Sequence, residues 1–217
     1  MPVKLYKLDV SPPARATMIA CELLNIPNEM ININLIEQEH KSPEFLKKNP
    51  LHTVPVLEDG SLIITDSHAI LMYLADAYGK NDSLYPKDVK QRALVNEKLF
   101  FDTAILFNRL RNITYPAIMD GQREVAPQKL KEIEEAYDFL EEFLSRNKYI
   151  ASDNLTIADV AAFATVSSLE YLVSLDTTKY PKIAAWLKEL EKQPAFQKQN
   201  TPGLKMLAGM VKHFTDL

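Results

Sequence analysis

The chain has 217 residues, 47% of them hydrophobic, one cysteine and a formal net charge of -4. That length allows one large or two small units with ample material for a core, and the absence of any basic run longer than two residues excludes the electrostatic footprint of a nucleic-acid binder. The opening MPVKLYKLDV lacks the apolar stretch of a signal peptide, and no run of about eighteen apolar residues occurs, so a cytoplasmic protein that neither spans nor needs a membrane is expected.

In chain order, Val3 to Leu8 alternates with period two and predicts a strand. Ser11 then stands behind Pro12-Pro13, and Met18, Ile19, Leu23 and Leu24 follow at helical spacing. Proline is tolerated in the first turn of a helix, which puts Ser11 at the cap. A cap hydroxyl accepts from the second or third helical N–H, and Pro13 has none, so only Ala14 can serve it. Two readings stand at this point: an ordinary N-cap, or a hydroxyl available to a ligand. Cys21 lies within this helix, cannot form an internal disulfide, and reads as a small buried hydrophobe with no catalytic role.

Ile31, Ile33 and Leu35 alternate with Asn32 and Asn34, which predicts a second strand, parallel to the first because a helix intervenes. Val54 to Leu57, a turn at Glu58-Asp59-Gly60-Ser61, and Leu62 to Ile64 read as a hairpin, followed by a helix from Ser67 to about Tyr78. After Gly79 strand signals stop. The polar stretch Lys80 to Asp88 reads as a linker, and helical periodicity dominates beyond it. Leu130, Ile133, Tyr137, Leu140 and Leu144 form one apolar stripe opposite a solvated acidic face. TIADVAAFATVSSL is apolar all round, as for a helix at the centre of a bundle, and Thr156 with Asp159 forms a capping box stapled by Leu155 and Val160. The expected architecture is an α/β domain over 1–80 with the order βαβ–ββα, a linker over 81–88, and an all-helical domain over 89–217.

That order resembles the cytosolic glutathione transferases along essentially the whole chain. The resemblance is carried by the VSPPARA turn, Asn49-Pro50-Leu51-His52-Thr53-Val54-Pro55, Asp66-Ser67-His68-Ala69-Ile70 and the Thr156–Asp159 box. SPPARA, EHKSPEFLKKNP and DSHAI are most similar to the insect delta and epsilon classes, epsilon somewhat closer. The resemblance implies a thioredoxin-like first domain, a helical second domain and a homodimer. It also implies glutathione as co-substrate, no metal, and conjugation of the thiolate to hydrophobic electrophiles of the detoxification type.

The chemistry has its own requirement. A free thiol has a pKa near 8.5, and only its anion is the nucleophile. A hydroxyl that donates to sulfur at the positive end of a helix favours that anion. Joined to the resemblance, this assigns the catalytic hydroxyl to Ser11. Tyr6 is the rival, because other classes of the family use a tyrosine on the first strand; a strand aromatic with the serine-type turn intact reads as packing. Thiol–disulfide chemistry would need a cysteine at the turn, and Cys21 is nearly three helical turns beyond it.

The remaining glutathione contacts follow from the motifs. Pro55 resembles the cis-proline of thioredoxin-like folds, which turns the Val54 backbone toward the cysteinyl part of the peptide. Asp66 and Ser67 open a helix whose N–H groups suit the γ-glutamyl carboxylate, with Asp66 on the ammonium; without the resemblance both read equally as caps. His52 and His40 are placed on the glycyl carboxylate, although each alone reads as a surface or structural residue. His68, where related proteins often carry arginine, joins this set, and no histidine pair has metal-ligand spacing. The family's electrophile pocket maps to Pro13, Phe107, Arg111, Tyr115, Met119, Leu207 and Met210, with Arg111 and Tyr115 four residues apart on one helix face. At a homodimer interface the helix from Ser67 and the helix near Val89, carrying Phe100-Phe101, are expected. A ligand-sequestering protein, an interaction domain of the same fold, and a glutathione-dependent peroxidase or isomerase are the competing activities.

Overall fold

The computed structural model describes residues 2–35 and 37–217. The alternating first part builds a mixed sheet with strand order β2-β1-β3-β4. Its strands are β1 (Val3–Lys7), β2 (Asn28–Asn32), β3 (Val56–Asp59) and β4 (Leu62–Ile64). The crossover helix α1 (Pro12–Leu23) makes β2 parallel to β1, whereas β3 and β4 run antiparallel. Helices α2 (Pro43–Lys48) and α3 (Ser67–Tyr78) complete the domain. Alternation sorts the side chains. Val3, Leu5 and Leu57 join the main core with α1 and α3, while Val56 packs with Ile33 and Phe45 on the opposite face, against α2.

Two expectations are corrected here, and one helix is added. The second strand lies at Asn28–Asn32 rather than Ile31 to Leu35, because β1 pairs Val3 with Asn28 and ends at Lys7 opposite Asn32. Past that point only the Ile33 N–H still bonds the Lys7 carbonyl. The hairpin turn is also tighter than expected: Asp59 pairs with Leu62, and Gly60 alone supplies the positive φ of 59°. Helix α2, six residues long, was not anticipated; Ser42 caps it by accepting from the Phe45 N–H at 3.2 Å.

The second part is helical throughout: α4 (Val89–Phe101), α5 (Asn108–Asp120), α6 (Pro127–Arg146), α7 (Ile157–Leu169), α8 (Pro181–Glu191) and α9 (Pro194–Phe214). A wide-turn segment, Asp102–Phe107, joins α4 to α5 without a loop. Every residue of α7 is buried, as its unbroken apolar circumference requires. Its start is anchored by Asp159, whose carboxylate accepts from the N–H groups of Thr156 (2.9 Å) and Ile150 (3.0 Å), the Thr156 hydroxyl (3.1 Å) and Trp186 Nε1 (3.0 Å). Among the described residues no helix is long and apolar enough to cross a membrane.

Candidate active site

The turn that delivers α1 is closed by the Ser11 N–H bonding the Leu8 carbonyl at 3.0 Å. Ser11 is extended (φ -77°, ψ 115°), and its side-chain oxygen accepts from the Ala14 N–H at 3.4 Å. That is long against the 2.9–3.0 Å norm, and Pro12 and Pro13 have no N–H to add. Among the described residues the Ser11 hydroxyl proton has no acceptor. The site therefore presents a donor at the positive end of a twelve-residue helix.

Tyr6 is differently placed. Its hydroxyl donates to Glu58 at 3.1 Å, and Lys48, itself 2.6 Å from Glu58, stands 5.2 Å from the ring centre. The Tyr6 ring packs edge-on to Phe45. Tyr6 belongs to the α2 face of the sheet and already has a partner for its proton. Cys21 is fully buried and its thiol is pushed up to about 12 by desolvation, with Glu22 adding to the effect, so it holds no thiolate at neutral pH.

One turn after Ser11, Arg15 is wholly buried and reaches α7, where Nη2 donates to the Ala164 carbonyl at 3.2 Å and to the Ser168 hydroxyl. Burial pulls its pKa down to about 10, opposed by the charge of Asp9 and by Tyr171. Nothing in local sequence marks Arg15 for this role; the only signal is a charged residue on the inner face of an amphipathic helix.

The loop after α2 is templated by Asn49, which is fully buried. Its amide donates to the Thr53 carbonyl (2.9 Å) and hydroxyl (3.1 Å), and its oxygen accepts from the Leu51 N–H at 2.9 Å. His52 adopts φ of 47°, and its N–H returns to the Asn49 carbonyl at 3.0 Å. The Val54–Pro55 peptide is cis. Among the described residues the Val54 backbone makes no main-chain hydrogen bond, which leaves an edge beside β3. His40 and His52 face one another with ring centres 6.0 Å apart. His40 is buried with no partner on Nδ1, and burial, helped by Lys41 and His52, holds its pKa below the ordinary value. Sequence reasoning missed Asn49 as the organiser; the Asn-Pro turn signal was available to find it.

At α3, Asp66 accepts from the Ala69 N–H through Oδ1 at 2.9 Å, its second oxygen has no partner among the described residues, and Ser67 is buried. His68 turns away toward the helical domain. Its Nε2–H donates to Asp102 at 2.9 Å, and in the neutral ring Nδ1 accepts from the Thr103 hydroxyl at 3.0 Å. Burial works against its charge, but the hydrogen bond and charge of Asp102, with Asp66 behind, prevail and raise its pKa. Both ring nitrogens are engaged, so His68 ties α3 to the second domain. Asp102 and Thr103 had no sequence signal, since their partner is more than thirty residues away.

The electrophile residues are only partly brought together. The Arg111 guanidinium lies 4.3 Å from the centre of the Tyr115 ring, so these two do share a face of α5, and both are exposed along with Met119. Leu207 and Met210 face Thr114 and Ala117 in a narrow crevice between α9 and α5, where Leu207 is core. Phe107 and Pro13 are half-buried. Clefts of about 580 and 690 Å³ lie at the α6–α8 junction and beside α9, and neither is lined by any of these residues.

A serine-capped turn at the start of the crossover helix of a thioredoxin-like sheet, docked on a helical bundle, is an arrangement that suits a glutathione-dependent enzyme class, and the comparisons agree. The family model for the glutathione S-transferase N-terminal domain matches residues 5–82, and that for the C-terminal domain matches 102–194. Glutathione S-transferase 1 of Manduca sexta is 43% identical over 213 residues, 97% of this chain and 98% of the relative. An epsilon-class glutathione S-transferase from the housefly Musca domestica superposes with a TM-score of 0.95 at 46% identity, covering 97% of each chain. A glutathione transferase homologue from Drosophila mojavensis, solved with bound glutathione, gives 0.95 at 43% identity and 99% of each. The chain belongs to the glutathione S-transferase family. It is an enzyme of that family, with glutathione as co-substrate.

Proposed function

We propose that this chain activates the glutathione thiol with the Ser11 hydroxyl and transfers the thiolate to hydrophobic electrophiles in the cytoplasm. The observation that carries this reading is the under-committed cap: one bond of 3.4 Å to Ser11, with its proton free to point at sulfur, while the Tyr6 hydroxyl is spent on Glu58. A donor at a helix N-terminus stabilises the anion and lowers the thiol pKa, each unit being about 1.4 kcal/mol. Around it, the unpaired Val54 backbone suits the cysteinyl amide, as a strand edge suits an added strand. The start of α3, with Asp66 and Ser67, suits the γ-glutamyl end, and the unpartnered Nδ1 of His40 with nearby His52 suits the glycyl carboxylate. His68 supports this site from behind by fixing α3 rather than by touching the peptide.

The electrophile side is assigned to the face of α5 carrying Arg111, Tyr115 and Met119, with Pro13, Phe107 and the Leu207–Met210 end of α9. The protein is read as a homodimer through α3 and α4, because Val89 (77% exposed), Phe100 (68%) and Leu94 (48%) leave α4 with apolar surface that a partner would cover. The test is turnover of a panel of aromatic halides, enals and hydroperoxides with glutathione at pH 6.5, alongside the mass in solution at micromolar concentration. Conjugation that collapses in Ser11→Ala and a dimeric mass are the expected results; conjugation indifferent to Ser11, or a monomeric mass, contradicts the corresponding part.

A further inference from the structure

Gly203, in the middle of α9, is buried against the Ser11 turn. A Cβ built on it would fall 1.8 Å from the Asp9 carbonyl oxygen, 2.6 Å from the Asp9 carbonyl carbon and 3.0 Å from Arg15 Cδ. Two of those atoms are backbone, so no rotamer change relieves the overlap. Asp9 is not a remote neighbour of Ser11. It is the second residue of the Leu8–Ser11 turn, closed by the Ser11 N–H on Leu8, and its carboxylate is held by Lys7 at 2.5 Å. Behind the same turn, Arg15 fastens the first turn of α1 to α7 through Ala164 and Ser168. The turn is thus gripped from the second domain on two sides, by the backbone of α9 and by a guanidinium docked on α7.

We propose that Gly203 and Arg15 are positioning residues for thiol activation: the helical domain, through the contact of α9 with Asp9 and the Arg15 anchor, sets where the Ser11 hydroxyl sits relative to the sulfur. This rests on the reading of Ser11 as the activating group. A hydrogen bond weakens steeply as its geometry degrades, so moving Asp9 by the ångström or more that a methyl at 203 demands displaces Ser11 and weakens its hold on the thiolate. Gly209 provides an internal control. It lies in the same helix, and a Cβ there meets nothing within 4 Å.

The experiment is titration of thiolate absorbance with glutathione bound, for Gly203→Ala, Gly209→Ala, Ser11→Ala and the Ser11→Ala/Gly203→Ala double variant. Gly203→Ala is expected to raise the bound thiol pKa by about half a unit or more, which well below that pKa is roughly a threefold loss of thiolate, with the glutathione Kd changed less than threefold. Gly209→Ala leaves that pKa unchanged. In the double variant the Gly203 substitution adds no further shift, because the group it displaces is gone. A shift in Ser11→Ala with none in a folded Gly203→Ala overturns the positioning role while the Ser11 reading stands. No shift in Ser11→Ala overturns the reading itself. Should Gly203→Ala not fold, Arg15→Lys decides: it keeps the charge, but its shorter chain cannot place a nitrogen where Nη2 reaches both Ala164 and Ser168, and a raised thiol pKa supports the proposal, whereas an unchanged one overturns it.

Discussion

Two helix starts in this molecule solve the same problem to opposite ends. At α7, Asp159 is wholly buried and its two oxygens accept four hydrogen bonds, so the cap has nothing left to offer a ligand. At α1, the Ser11 oxygen accepts one long bond, the two prolines that follow cannot compete for it, and its proton has no acceptor among the described residues. A saturated cap locks tertiary structure; an unsaturated one has capacity left for a ligand. The start of α3 lies between them, with one oxygen of Asp66 capping and the other without a partner among the described residues. Ser42, at the start of α2, also accepts a single bond, so the count marks where a cap has capacity to spare and not what that capacity is used for.

The largest expected effect lies at the saturated end. Asp159→Ala removes the acceptor of four donors, three of them backbone or indole N–H groups that burial leaves without water. At about 1–3 kcal/mol for each orphaned donor, the loss is several kcal/mol, a large share of an ordinary domain's stability. Urea denaturation should show either a much lower midpoint or no folded protein; a loss below about 1 kcal/mol would erase the distinction drawn above.

The intermediate cap should show an intermediate and different effect. Asp66→Ala and Ser67→Ala are expected to weaken glutathione binding by about 1–3 kcal/mol, the range of charge-assisted hydrogen bonds, with the fold retained. Calorimetric titration checks this, and unchanged affinity in both variants would return these residues to capping alone.

A smaller effect concerns the tie between the halves. The His68 pKa is raised in the folded state, so its contribution to stability is complete below its unfolded value, near 6.5, and fades as pH rises through the folded value. Asp102→Asn removes the charge that produces the shift. The stability gap between wild type and Asp102→Asn, measured in urea, should therefore be wider at pH 6 than at pH 8.5; a gap that widens toward pH 8.5 contradicts the assignment.

What was legible in the sequence follows the range of the interactions involved. Helix α7 could be read because being apolar all round is a local property, and its capping box spans four residues. The cap position of Ser11 could be read because two prolines restrict their own neighbourhood. Helix α2 escaped because six residues hold too few turns to show a period. The second strand was displaced because register depends on where β1 ends, which the alternation of Ile31, Ile33 and Leu35 does not encode. Arg15, Gly203, Asp102 and Thr103 were invisible for a common reason: each has meaning only through a partner on another domain, and a glycine that must lack a side chain looks like any other glycine.

The proposed assignment is that the unsaturated cap, and not the strand tyrosine, activates the thiol. It is tested most directly by titrating the absorbance of bound glutathione thiolate in wild type, Ser11→Ala and Tyr6→Phe. Ser11→Ala should raise the bound thiol pKa by about one unit or more, lowering turnover at pH 6.5 far more than at pH 9, with Tyr6→Phe indistinguishable from wild type. A shift in Tyr6→Phe with none in Ser11→Ala would contradict it, and would leave Pro12 and Pro13 doing no more than starting a helix.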